Sequence, residues 1–443
     1  MMKKTIAIAC LIAASFSEGN AQEWAPIRDK ILTPWAEQVT PQNAHREYPR
    51  PQLERKNNWQ NLNGLWKYKI TNKDQKDIPN AWDGDILVPF AVESALSGVA
   101  KPVTKDDALW YNNKITIDKK LNKGQVLLHF GAVDWECDIY VNGQHVGNHQ
   151  GGFDPFSIDI SKAIKKGKTQ DIAIRVWDPT SDGPQPRGKQ INNPHGIWYT
   201  PVSGIWQTVW LESVPETHIV STKQTPDVDN SVLKFSAELS SAKAGDQILV
   251  EAYDNSNKIA EAKANAGEET QLKINNPQLW SPDSPKLYDL KVKVLRNGKV
   301  IDEASSYFAM RKISVKKDAN GIQRMYLNDK FVFHYGPLDQ GWWPDGLHTA
   351  PSDEALRFDV EKTKEMGFNM IRKHIKVEPA RWYRHCDSIG VMVWQDMPSG
   401  DLGGNIWDMN PGKIRVGKHD KDRTPESEAI YKKEWKAIMS HLH

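Results

Sequence analysis

The chain has 443 residues, enough to bury two or three separate hydrophobic cores. Its 58 basic and 56 acidic side chains leave a net charge of +2, which offers no basic stripe to track a phosphate backbone and argues against a nucleic-acid partner. With 39% hydrophobic residues, 26 Pro and 29 Gly, the composition fits a soluble, β-rich protein.

Lys3 and Lys4 precede an apolar run from Ile6 to Phe16, and Gly19-Asn20-Ala21 supplies small residues before Gln22. Residues 1–21 therefore read as a signal peptide, too short to span a bilayer, and predict export to the periplasm or cell surface. Ala7-Ile8-Ala9-Cys10 loosely imitates a lipoprotein box, but the apolar stretch before Cys10 is too brief for a lipid anchor to be expected. Cys137 and Cys386 remain. They fall in different predicted domains, so two buried thiols are expected rather than a disulfide across an interface. No Cys/His group has zinc spacing, and neither a metal nor a cofactor is expected.

Residues 45–214 show short alternating runs broken by turns, the pattern of an antiparallel sandwich. The predicted strands are 65–70, 86–88, 110–117, 126–130, 138–141, 171–177 and 207–211. Asn142-Gly143 between two of these runs predicts a tight hairpin, since both positions tolerate positive φ. Residues 215–312 repeat the logic with strands over 233–239, 247–253, 270–274, 288–295 and 306–310. That pattern suits an immunoglobulin-like sandwich acting as a spacer.

After Lys312 the period changes, and residues 313–443 alternate strand and helix. Phe331-Val-Phe-His334-Tyr-Gly336 reads as a strand, and Ser352-Asp353-Glu354 opens a helix with Leu356, Val360 and Thr363 on one face, stopped by Gly367. A strand from Phe368 follows. Pro379 begins a helix through Trp382, Cys386 and Ile389, ended by Gly390, and a third strand starts at Val391. Thr424-Pro425 caps a last helix with Tyr431, Trp435, Ile438, Met439 and Leu442 on one stripe. Strand and helix alternate three times, as in a parallel α/β barrel. Two of these strands run into polar and aromatic side chains, at Arg372-Lys373-His374 and at Trp394-Gln395-Asp396. Such charge at the carboxyl end of a buried strand marks the face where parallel α/β folds bind ligands.

Specific strings narrow the reading. Tyr48-Pro-Arg-Pro-Gln52, Asn61-Leu-Asn-Gly-Leu-Trp66, Gly151-Gly-Phe153-Asp-Pro-Phe156 and Ser203-Gly-Ile-Trp-Gln-Thr-Val-Trp-Leu-Glu212 resemble the sugar-binding domain of glycoside hydrolase family 2. Gly367-Phe-Asn-Met-Ile-Arg372 and His385-Cys-Asp-Ser-Ile-Gly390 resemble the same family's barrel. The resemblance implies a multidomain β plus α/β protein: a jelly-roll sugar-binding sandwich, an immunoglobulin-like sandwich and the first part of a (β/α)8 TIM barrel. It also implies hydrolysis of terminal β-glycosidic bonds by the retaining mechanism, in which two carboxyl groups about 5 to 5.5 Å apart flank the bond. In the family the acid/base is the Glu of an Asn-Glu pair ending the fourth barrel strand, and the nucleophile is a Glu ending the seventh. No Asn-Glu dipeptide occurs in this sequence, and only about three barrel units precede His443. The chain is therefore expected to lack both catalytic carboxylates, to be inactive alone, and to need a carboxy-terminal half as partner if the enzyme is split.

The resemblance places Arg372 near the family's catalytic centre, where a guanidinium can keep a carboxylate ionised. His374 lies one position from the family's usual His. Gln395 and Asp396 end the third strand where metal-using galactosidases have Asp-Glu followed by a His, but Met397 and Pro398 follow here, so no magnesium is expected. Asp339, Gln340, Trp342, Trp343 and Asp345 resemble a subsite wall, and with Trp394 they supply aromatic faces for a pyranose and polar groups for its hydroxyls. Trp135 and the Gly151-Gly152-Phe153 loop are expected to support the mouth of the site. The substrate expected is an oligosaccharide or glycoside. The rival reading is a noncatalytic carbohydrate-binding protein; a purely structural surface protein fits poorly with polar clusters at strand ends.

Overall fold

The computed structural model describes residues 24–121, 123–165, 167–400 and 424–442. The expected signal segment, with Cys10, lies outside the described residues. Among the described residues no helix is long and apolar enough to cross a membrane.

The first unit stacks two antiparallel sheets. One has six strands in the order Gly84–Val88, Gly64–Asn72, Asp107–Ile115, Gln170–Trp177, Glu136–Val141 and Gln144–Gln150. The other has Trp59–Asn61, Val209–Val214, Gln125–Phe130 and Phe156–Asp159. Alternation along Gly64–Asn72 turns Trp66 and Tyr68 inward, where they join Tyr111, Phe130 and Ile174 in one core. Asn142 and Gly143 both take positive φ, 53° and 80°, and close the Glu136–Val141 hairpin.

The second unit pairs a three-stranded sheet, Ile219–Asp227, Val232–Leu239 and Thr270–Lys273, with a four-stranded one, Asn257–Asn265, Gln247–Asp254, Tyr288–Arg296 and Lys299–Phe308. Phe235, Val250, Val292 and Phe308 lie in its core. A buried ion network joins the two sandwiches. Glu212 accepts hydrogen bonds from Tyr48 (2.6 Å), Trp210 (2.8 Å) and Arg50 (3.1 Å), and Arg55 reaches from Glu212 to Asp302 at 2.8 Å. Burial would raise the Glu212 carboxyl, but Arg50, His129 and Arg55 outweigh it and hold the group well below the usual carboxylate range. Two of the strings quoted above, around Tyr48 and Glu212, thus meet as structural partners.

The third region departs from expectation at its start. Asn328 and Asp329, with φ of 52° and 62°, turn Lys330–Phe331 back onto Gln323–Leu327, so Phe331 ends an antiparallel hairpin rather than opening the parallel sheet. Phe331 and Phe333 are left 52% and 70% exposed. The parallel sheet begins later, with Leu338–Asp339, then Met370–Lys373 and Met392–Gln395. Helix α1, Asp353–Glu365, is capped by Ser352 Oγ, which accepts from the Ala355 amide at 3.1 Å, and buries Leu356, Val360 and Thr363. Helix α2, Ala380–Ile389, buries Trp382 and Cys386 and ends at Gly390 with φ of 88°.

Helix α3, Pro425–Leu442, buries Ser427, Ile430, Glu434 and Ile438, while Trp435 and Met439 face outward. The expected apolar stripe is therefore rotated. The reason is Glu434, whose Oε1 accepts from the Trp135 indole of the first sandwich at 2.9 Å and draws its own face inward. Cys137 and Cys386 are buried free thiols. The molecule is a mostly-β multidomain protein, and its parallel sheet has three strands among the described residues.

Candidate functional site

Register decides which side chains the parallel sheet presents. Leu338, Arg372 and Trp394 are aligned across the three strands, as are Asp339, Lys373 and Gln395 one position later. Because side chains alternate, the first row stands on one face and the second on the other. Leu338 and Trp394 are exposed and the Arg372 side chain is 47% exposed, whereas the Lys373 side chain is 1% exposed.

On the buried face, Lys373 Nζ donates to Asp339 at 2.6 Å and to Glu378 at 2.8 Å, and lies 4.3 Å from the centre of the Trp382 ring. Burial alone would lower this ammonium, yet Glu378 and Asp339 outweigh it and its pKa is raised. Lys376 is also fully buried. It donates to the carbonyls of Gly341 (2.8 Å) and His348 (2.6 Å) and pairs with Glu378 at 2.9 Å. Gln395 accepts from the Tyr383 hydroxyl at 2.6 Å and donates to the Lys376 carbonyl at 2.8 Å, which ties the third strand to the segment after the second.

At the open end, Asp396 receives Arg372 Nη2 at 2.8 Å and faces His374 Nδ1 at 2.7 Å. Burial tends to raise the carboxyls of Asp339 and Asp396, but their cationic neighbours prevail and both are lowered. Groups held ionised in this way accept hydrogen bonds from hydroxyls; they do not donate protons. Trp394 donates from Nε1 to His334 at 2.8 Å.

The expected subsite wall is divided. Trp342 is half-buried and stacks on Tyr199 at 4.5 Å and 17°. Gln340 lies beside it with a buried Oε1 that has no partner among the described residues. Trp343 is instead a core residue, 9% exposed and edge-on to Trp35. Asp345 is fully buried and holds the amino-terminal segment through Thr33, accepting from its amide at 2.8 Å and its hydroxyl at 2.6 Å. The structure does not bring these two to the strand-end cluster. Trp135 and Gly152 join neighbouring elements, Trp135 through Glu434 and Gly152 through its carbonyl to the Trp206 indole at 2.9 Å.

Sequence reasoning named Lys373 only as part of a charged strand end, and missed Lys376, Glu378, Tyr383 and Tyr199. The alternation Lys373, Ile375, Val377 against His374, Lys376, Glu378 carried no signal, because the chain leaves the strand at Lys373. Among the described residues no group of three or more His, Cys, Asp or Glu is placed to hold a metal ion. A separate cavity of about 50 Å³, lined by Arg50, Trp206, Asp353, Arg381 and His441, has room for a few waters.

The family described as "Glycosyl hydrolases family 2, sugar binding domain" matches residues 59–215, and "Glycosyl hydrolases family 2" matches residues 217–311. A putative beta-glucuronidase of Formosa agariphila is 30% identical over 378 residues, covering 79% of this chain and 43% of that protein. A beta-galactosidase of Thermoanaerobacter pseudethanolicus is 27% identical, covering 67% of this chain and 40% of that protein. The chain thus spans under half the length of these two curated relatives. Among solved structures, the b-glucuronidase of Ruminococcus gnavus in complex with D-glucuronic acid superposes with a TM-score of 0.66 at 19% identity, covering 81% of this chain and 62% of that one. At that identity the likeness is one of fold.

Proposed function

Because the chain belongs to glycosyl hydrolases family 2, we propose that it is the sugar-binding and scaffolding part of an exported β-glycosidase acting on terminal β-glycosidic bonds by the retaining mechanism. In this reading residues 45–214 form the jelly-roll domain, residues 215–312 the immunoglobulin-like spacer, and residues 313–443 the first units of a TIM barrel. The observation that carries it is the convergence of Arg372, His374 and Asp396 at the carboxyl ends of two adjacent parallel strands, the end at which such sheets bind ligands. The names of relatives, beta-glucuronidase and beta-galactosidase, support a β-glycoside as substrate class.

Arg372, His374 and Asp396 bind and orient the sugar, with Trp394 as an aromatic wall. The chain alone binds without turnover, since the sequence contains no Asn-Glu pair and the strand-end carboxylates are held ionised by cations rather than poised as acids. Titration with oligosaccharides beside an assay on aryl β-glycosides tests this. Binding without release of the aryl group is expected. Turnover by this chain would overturn the inactivity, and absence of any sugar binding would overturn the site.

A further inference from the structure

One segment of the first sandwich touches the chain after all three parallel strands. After the first strand, Trp342 stacks on Tyr199. After the second, Gly188 packs so closely on Ile375 that a Cβ there would stand 2.6 Å from its carbonyl oxygen, at a φ of 63° that itself favours glycine. After the third, the amides of Arg187 and Gly188 donate to the Ser399 carbonyl at 2.9 and 2.8 Å. The segment folds back on itself through the Tyr199 amide, which donates to the Lys189 carbonyl at 2.8 Å. Its tip, residues 192–197, is exposed and includes Asn192, Asn193 and His195.

The aromatic pair at its base is half-buried. Trp342 is covered by Tyr199 on one side and by His348, edge-on at 4.3 Å, on another. Tyr199 has no second ring neighbour among the described residues. It is half-buried, and its hydroxyl makes no hydrogen bond among them. A flat aromatic face backed by a second ring, with an adjacent hydroxyl and polar amides beyond, matches the C–H face and edge of a pyranose. Gly341, next to Trp342, donates its amide to Asp339 at 2.8 Å, which ties the platform to the end of the first parallel strand.

We propose that residues 188–199 form an additional sugar subsite, with Tyr199 as its platform, so that the site prefers a glycan of two or more residues over a single glycoside. The inference rests on the reading of the strand ends as a sugar site and extends it to the chain length of the ligand. A ligand anchored by Arg372 and Asp396 reaches this wall only with its next sugar, and the gain in affinity comes from covering Tyr199. Substitution here changes the length preference and leaves recognition of the first sugar intact.

Calorimetric titration of the full chain with a β-linked monosaccharide glycoside and with a series of longer β-linked oligosaccharides tests it. Wild type is expected to bind a longer ligand more tightly, and Tyr199→Ala to lose about five- to tenfold on that ligand only, the worth of one aromatic contact. Tyr199→Phe, which keeps the stack, is expected to retain most of the preference, and circular dichroism verifies that both variants fold. Equal affinity of wild type for short and long ligands, or an unchanged preference in folded Tyr199→Ala, overturns the subsite while leaving the strand-end reading standing. Failure of wild type to bind any of these sugars overturns both.

Discussion

Arg372 and Asp396 come from adjacent parallel strands and meet at 2.8 Å where those strands end. The pair is open to solvent on the Arg372 side, so its Coulomb energy is screened and contributes little to folding. Its value is positional: the guanidinium fixes the carboxylate that His374 also faces. Arg372→Ala is expected to leave the urea unfolding midpoint nearly unchanged while weakening sugar binding about tenfold, the worth of a charge-assisted contact. A large fall in the midpoint with unaltered affinity would make the pair structural.

Lys373, the next residue, predicts the opposite pattern. Its ammonium is enclosed by Asp339, Glu378 and the Trp382 ring, with a side chain 1% exposed. Lys373→Met leaves two carboxylates without their shared cation, and removal of one partner from a buried pair costs about 3–5 kcal/mol. Denaturant unfolding measures this. The double variant Lys373→Met/Asp339→Asn is expected to recover part of the loss, because Glu378 keeps Lys376 at 2.9 Å while Asp339 loses its one ion pair among the described residues.

The contrast between these neighbours shows what could be read before the fold was known. Charge at the ends of two strands was legible, because a buried strand has no other reason to finish in Arg, His and Asp. Which of those charges reach solvent was not, since it depends on the register that aligns Leu338, Arg372 and Trp394 on one face. Strands with strong apolar alternation, such as Gly64–Asn72 and Tyr288–Arg296, were legible to within two residues. Ile219–Asp227 was not, because Ile219 alone is fully buried there, and Asn257–Asn265 was not, because alanines stand where larger apolar side chains would mark an inner face. Phe331 misled for a different reason. Its alternation with Phe333 and Tyr335 is real, but the turn at Asn328-Asp329 assigns it to a hairpin. Tyr199 was invisible because its partner Trp342 lies 143 positions away, and no local pattern reports such a contact.

The start of α1 offers a local test. Ser352 takes an extended backbone, with φ of −151° and ψ of 169°, and its hydroxyl accepts from the Ala355 amide. Ser352→Ala removes that acceptor and is expected to cost about 1 kcal/mol. Ser352→Asp, which restores an acceptor and places negative charge at the helix amino terminus, is expected to recover it. Thermal unfolding of the three proteins checks the order.

The docking of α3 on the first sandwich predicts a pH dependence. Glu434 is 1% exposed, and burial, opposed by its bond from Trp135 but reinforced by the nearby Asp154 carboxyl, pushes its pKa from 4.5 to about 8. A carboxyl raised in the folded state is protonated there after its unfolded counterpart has ionised. Its contribution to stability is therefore complete below about pH 4.5 and is lost as pH rises through about 8. Glu434→Gln keeps an oxygen to accept from Trp135 and has no proton to lose. Melting temperatures of the two proteins are expected to run parallel at pH 4 and to diverge progressively toward pH 8, with wild type falling below the variant. His441, half-buried on the same helix with its pKa lowered to about 4, titrates in both proteins and cancels from the comparison. A constant difference between the curves across this range would show that Glu434 is ionised in the folded protein.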